Sequence, residues 1–194
     1  MEEFEMKYML SKRQFRLLRE FVKNFYKYQF KCSLQTNFYY DTPDWHYNQS
    51  NTTIRIREKN GKLCGTIKYH AEDEYGSNKE NLFCVKTVPT LLKYEDNLLS
   101  MKGKLVTNRM SVLIAPTITL CLDENFYLGT RDYELEIEYD EGARLDAWKY
   151  LVFLTMLVND GRFIPTQSFY CSTHKSARFF ARLKKKGKRH GIRD

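Results

Sequence analysis

Apolar residues recur along this chain with two different periods. From Ser11 the spacing is helical: Phe15, Leu18, Val22 and Phe25 share a face, and Ser11 with Gln14 forms a capping-box pair at the start. Helical spacing returns over Arg144–Val158, with Leu145, Trp148, Val152 and Met156 expected inward and Gly161 beyond the end. Further helices are predicted over about Pro89–Met101, stopping at Gly103, and near His174–Lys185. Elsewhere the period is two. Asn37–Asp41, Thr53–Glu58, Lys62–Tyr69, Asn81–Val88, Leu105–Ser111, Thr117–Asp123 and Tyr133–Tyr139 read as short strands, and Asn60-Gly61 joins two of them as a two-residue hairpin. Hairpins imply antiparallel pairing, so the class is α+β, dominated by an antiparallel sheet.

The polar positions of these strands are ionisable to an unusual degree. Glu3-Phe4-Glu5-Met6-Lys7 puts two carboxylates and an ammonium on one face, and Tyr133-Glu134-Leu135-Glu136-Ile137-Glu138 puts three carboxylates on one face. Ile54-Arg55-Ile56-Arg57 aligns two guanidiniums, and Thr66-Ile67-Lys68 adds an ammonium. Like charges along a strand face repel, which a sheet selected for stability alone avoids. Two arrangements satisfy the pattern. Each charged face lies in water over an apolar core, or the sheet rolls into a barrel that turns acidic and basic strands toward one wet lumen. Four segments with the same habit, of both signs, favour the second. Such a lumen suits a polyanion with Mg²⁺ or Mn²⁺, since hard cations take carboxylate oxygens while Arg and Lys clamp phosphate.

Composition narrows the classes further. The 194 residues are 42% hydrophobic and 29% charged, as in a folded globular chain of one domain. The formal charge of +8 is concentrated at the C-terminus. Residues 172–194 carry nine Lys or Arg against one acid, leaving 23 of each sign before them. The basic end reads as a solvated tail, so nucleic acid is disfavoured as the main partner. Five cysteines without CxxC spacing, an acidic start and no long apolar run predict a reduced, cytoplasmic chain with no membrane span. His46, His70, His174 and His190 lack ligand spacing and read as surface or loop residues, with His174 near the lumen. Cys121 reads as a small hydrophobe, and Trp45 and Trp148 as core or rim aromatics.

Six blocks, in order, resemble the CYTH or triphosphate tunnel metalloenzyme superfamily, in its small single-domain bacterial form. They are the ExExK run Glu3–Lys7, the Asn37–Asp44 block, the Arg-x-Arg hairpin Thr53–Gly61, Gly65-Thr66-Ile67-Lys68, the acidic set Asp123 to Glu138, and His174–Phe179. The resemblance implies an eight-stranded antiparallel β-barrel, a tunnel, with flanking helices, as one domain over 1–183 before a basic tail of 184–194. It implies a divalent-metal-dependent triphosphatase acting on inorganic triphosphate, another triphosphate compound or polyphosphate. An adenylate cyclase of the same superfamily and a non-catalytic polyphosphate- or nucleotide-binding module are the alternatives, and a homodimer is allowed. Carried over by residue, Glu3, Glu5, Glu136 and Glu138 are metal-side carboxylates. A second metal or Glu136 would orient and activate water, with Glu80 or Asp123 as accessory acids. Lys7, Arg55, Arg57, Lys68, Arg109 and Lys175 clamp phosphate. The chain departs from the family pattern at Ser77-Asn78-Lys79-Glu80-Asn81, which lacks the usual arginine, and at Met110, where a second basic residue is common.

Overall fold

A computed structural model describes residues 2–70, 77–162 and 174–189, and the side chains of 2, 3, 77, 188 and 189 fall outside that description. Among the described residues, nine strands form one antiparallel sheet: β1 (Glu2–Leu10), β2 (Lys31–Asp41), β3 (Thr52–Lys59), β4 (Lys62–His70), β5 (Ser77–Phe83), β6 (Leu91–Tyr94), β7 (Asn97–Ala115), β8 (Ile118–Tyr127) and β9 (Thr130–Tyr139). Their order is β2-β3-β4-β5-β1-β9-β8-β7-β6, and β2 also pairs with β7. That pairing closes eight strands into a ring, as expected, with β6 added outside it. The ring is narrowest in pairing between β1 and β5, which are joined, among the described residues, only over Glu2–Phe4.

Local chemistry sets the corners. Asn60 and Gly61 both have positive φ, 53° and 72°, the backbone of a tight hairpin between β3 and β4. Gly65 is required for space: a Cβ there would lie 2.2 Å from the Phe83 ring. On β7 the register with β2 shifts beside Tyr39, where Gly103 takes φ 140° and lets the 19-residue strand bend.

Among the described residues, four α-helices flank the barrel: α1 (Lys12–Tyr26), α2 (His46–Gln49), α3 (Arg144–Val158) and α4 (Lys175–Arg189). The Ser11 capping box is formed: the Gln14 N–H donates to Ser11 Oγ at 3.3 Å, and the Ser11 N–H donates to Gln14 Oε1 at 2.7 Å. Outward apolar residues Met6, Tyr8, Leu120, Leu135 and Ile137 pack with Phe15, Leu18 and Val22 of α1 and Leu151 and Leu154 of α3. A smaller cluster seats Phe179 and Phe180 of α4 on Tyr39, Leu105 and Tyr127. The larger core therefore lies outside the barrel wall, while the smaller cluster lets α4 cap the lumen, with Phe179 against the inward-facing Tyr39.

Four expectations need correction. Residues 89–101 are not a helix; they hold β6, the start of β7 and a hairpin with Tyr94 opposite Asn97. Their leucines and lysines suit a helix, but Leu99 is buried against Tyr40 and Ile54, and Ser100 and Met101 pair with β2. The strand expected over Asn81–Val88 begins earlier and ends at Phe83, because its partners are Gly65–His70 and Glu2–Phe4. Phe25 is 69% exposed, stacked on Phe21 instead of reaching the core. In α3 the inner face is Ala147, Leu151, Leu154 and Val158, while Leu145 is 66% exposed. Apolar residues surround that helix on most sides, so periodicity alone marks no unique inner face.

Candidate active site inside the barrel

Period-two alternation carries the ionisable side chains to the barrel interior, where they are buried: Glu5, Lys7, Arg55, Lys68, Asp123, Glu134 and Glu136 are all at most 9% exposed. They converge on a cavity lined by Glu5, Lys7, Arg55, Arg57, Lys68 and Arg109, with Glu136, Glu138 and Lys175 completing the ionic wall. Opposite charges pair across it. Lys7 lies 2.9 Å from Glu5 and 3.4 Å from Glu136, and Lys68 lies 3.1 Å from Glu5 and 3.5 Å from Glu80. Arg55 reaches Glu80 at 3.2 Å. Arg109 donates through both Nε and Nη2 to Asp123, at 2.8 and 2.7 Å, and also to Glu136 and to Glu138. From α4, Lys175 reaches Asp123 at 2.8 Å, Glu134 at 3.0 Å and Glu136.

Burial opposes every one of these charges; the partners decide the outcome. Burial disfavours the Glu5 and Glu136 carboxylates, yet Lys68 and Lys7 hold Glu5, and Lys175, Lys7 and Arg109 hold Glu136, well below the usual carboxylate range. Burial likewise disfavours the Lys7 and Lys175 ammoniums, but Glu5 and Glu136 around Lys7, and Asp123, Glu134 and Glu136 around Lys175, raise them above ordinary lysine. The ionised state of both signs is thus locked in. Cys121 shares this interior, but burial pushes its thiol up, so it is inert as a nucleophile.

The other sequence candidates take distinct places. Arg57 lines the cavity and donates from Nε to Asn37 Oδ1 at 3.0 Å. Glu138 sits at the mouth, 30% exposed, bordering both the cavity and an outer groove beside Phe4, Thr117 and Asp140. Asp123 is fully buried beneath Arg109 and Lys175. Glu80 reaches inward from β5 to Arg55 and Lys68, while the adjacent Lys79 is exposed, as alternation requires. Glu3 is in β1, but its side chain lies outside the described residues. His190 and Cys171 also lie outside them.

Several contributors were given no site role from the sequence. Glu134 stands with Asp123 and Glu136 in a buried trio whose carboxylate oxygens lie within 4.8 Å of one another. Its place in the Glu134-x-Glu136-x-Glu138 alternation was the available signal. Arg178, one helical turn after Lys175, holds Asp132 at 3.0 Å and Glu134 at 2.9 Å. The Tyr39 hydroxyl is buried at the cavity wall without a hydrogen-bond partner among the described residues. His70 is not a surface residue, and His174 lies at the lumen as expected: both line the cavity, with ring centroids 3.7 Å apart. They sit 104 positions apart, so only the closing of α4 onto the barrel brings them together.

These features define a closed antiparallel β-tunnel whose lumen is an ionic lattice and whose apolar faces point outward to helices. The chain belongs to the CYTH domain family, whose model matches residues 1–153. It is 29% identical over 149 residues to YjbK of Bacillus subtilis (strain 168), provisionally named a triphosphatase, covering 70% of this chain and 76% of that one. A Bacillus halodurans structure provisionally described as an adenylate cyclase superposes with a TM-score of 0.64 at 23% identity, covering 92% of this chain and 97% of its own. HpAC1 from Hippeastrum, described as having a dominant triphosphatase activity, gives 0.64 at 17% identity over 92% and 95%. The mimivirus capping enzyme triphosphatase gives 0.58 at 13% over 81% and 90%. No helix among the described residues is long and apolar enough to cross a membrane.

Proposed function

We propose that the chain is a divalent-metal-dependent triphosphatase that hydrolyses inorganic triphosphate or a related triphosphate compound within the tunnel. The observation that carries this reading is the convergence of Lys7, Arg55, Arg57, Lys68, Arg109 and Lys175 on one cavity that also holds a buried carboxylate set. The relatives named as triphosphatases support it.

Triphosphate hydrolysis needs the equatorial oxygens neutralised, a water aligned with the scissile bond and a stabilised leaving group. Arg55 and Arg57, side by side on β3, and Lys68, from neighbouring β4, grip one end of the phosphate chain; Arg109, Lys7 and Lys175 grip the other. Phosphate oxygens enter by replacing carboxylates as the partners of these cations, and the carboxylates so released would be paired by the divalent ion. The donor set fits a hard cation: Glu5 and Glu136 meet at Lys7, and Glu136 and Glu138 meet at Arg109, so their oxygens face one space. Glu5, Glu136 and Glu138, with Glu3 of the same β1 row, would hold Mg²⁺ or Mn²⁺. The ion supplies charge neutralisation at the terminal phosphates and lowers the pKa of bound water. Glu136, released from Lys7, Arg109 and Lys175 as phosphate takes those cations, would accept the proton of the attacking water. Asp123 orients Arg109, and Glu80 orients Arg55.

The test is a product panel. Inorganic triphosphate, thiamine triphosphate, ATP and long-chain polyphosphate are each incubated with Mg²⁺ or Mn²⁺, with phosphate and cyclic AMP measured. Metal-dependent phosphate release from a triphosphate is the expected result. Cyclic AMP from ATP would make the chain a cyclase, and tight binding with no product would make it a binding module.

A further inference from the structure

His70 closes a hydrogen-bonded chain that the proposed chemistry does not use. The Glu5 carboxylate can only accept, so the group 3.1 Å from its Oε1 is the Asn78 amide nitrogen. That orientation turns Asn78 Oδ1 toward His70 Nδ1, 3.2 Å away. An amide oxygen also only accepts, so Nδ1 carries a proton. The other nitrogen, Nε2, lies 2.8 Å from Thr53 Oγ1, and Thr53 lies 2.7 Å from the hydroxyl of Ser176 on the first turn of α4. His174 lies flat against the other side of this assembly, 24° from parallel with His70.

We propose that His70 is a positioning residue for Glu5: as the neutral Nδ1–H tautomer it fixes the Asn78 amide, which fixes the carboxylate. Through Thr53 and Ser176 the same ring ties Glu5 to the helix turn that delivers Lys175. The metal-side carboxylate and a phosphate-side lysine from opposite ends of the chain are thereby set by one imidazole. Outer partners of this kind commonly change metal affinity or activity by about 10- to 100-fold when removed. The inference rests on the metal-dependent reading above.

Two measurements test it. In ¹⁵N-histidine-labelled wild-type protein at neutral pH, NMR should find the proton on His70 Nδ1 and a bare Nε2, whatever the activity. Mn²⁺ affinity, read by electron paramagnetic resonance, should fall about tenfold in His70→Phe, which keeps the stacked ring but loses both hydrogen bonds. Asn78→Ala should lose as much, and the double variant no more than the worse single, because both act through one chain. Turnover of triphosphate should fall and the KM for triphosphate rise by less than about fivefold, since the turn carrying Lys175 loses its tie while Arg55, Arg57 and Arg109 are untouched. A proton on Nε2, or wild-type Mn²⁺ affinity in His70→Phe, overturns the proposal. A wild-type protein inactive on every triphosphate overturns the functional reading instead, and the tautomer still decides the hydrogen-bond chain.

Discussion

At Glu136 three cations meet one carboxylate: Lys7, Arg109 and Lys175 all contact it inside the barrel. Desolvating such groups costs several kcal/mol each and mutual attraction repays it only while the set is complete. Glu136→Gln should therefore cost both functions at once, lowering phosphate release at least about 100-fold and destabilising the fold by about 3 kcal/mol in urea unfolding. The histidines give a pH dependence whose sign is fixed. Burial, with His174 and Lys68 adding to it, takes His70 down to about 2, and burial with Lys7 takes His174 to about 4. An unfolded histidine binds its proton near pH 6.5, so between about pH 6.5 and 4 the unfolded chain holds more protons than the folded one. Stability is full above that window and falls on acidification, and Glu5 and Glu136, held low by their cations, extend the loss further into acid. The urea midpoint should be flat from pH 7 to 8 and drop by pH 5. His174→Phe should flatten part of that drop; an unchanged midpoint at pH 5 in the wild type would remove the argument.

At the scale of elements, alternation along strands was readable in the residues and alternation between elements was not. The inward rows of β1, β3, β4 and β9 follow directly from ExExK, Arg-x-Arg, Lys68 and Glu134-x-Glu136-x-Glu138, because a strand has only two faces. The β6–β7 hairpin was hidden, since its Leu and Lys content favours a helix in isolation and only pairing with β2 overrides that preference. His70 was hidden for a related reason: its partners Asn78 and Thr53 come from neighbouring strands, and Ser176 from α4. Close packing between strands is testable at Gly65. Gly65→Ala places a methyl against the Phe83 ring and should cost about 1–3 kcal/mol, with Phe83→Ala in the same chain recovering part of it. Additive losses in the double variant would show that the contact does not set the cost.

For the whole molecule, the inversion of the usual plan is what links fold to chemistry: the apolar core lies between barrel and helices, and the charges lie within. Closure of β2 on β7 and docking of α4, with Lys175 and Arg178 inserted, make the lattice complete. A ligand bound only by the folded lattice must stabilise it by mass action, so saturating triphosphate should raise the melting temperature, less so at high salt. The most direct measurement is calorimetric titration of inorganic triphosphate into the wild type and into an Arg55→Ala, Arg57→Ala double variant. One triphosphate per chain, with affinity falling at least about 100-fold when the β3 arginine pair is removed, is the predicted result. Equal affinity in the two proteins, or no binding by the folded wild type, would contradict a phosphate-gripping lumen.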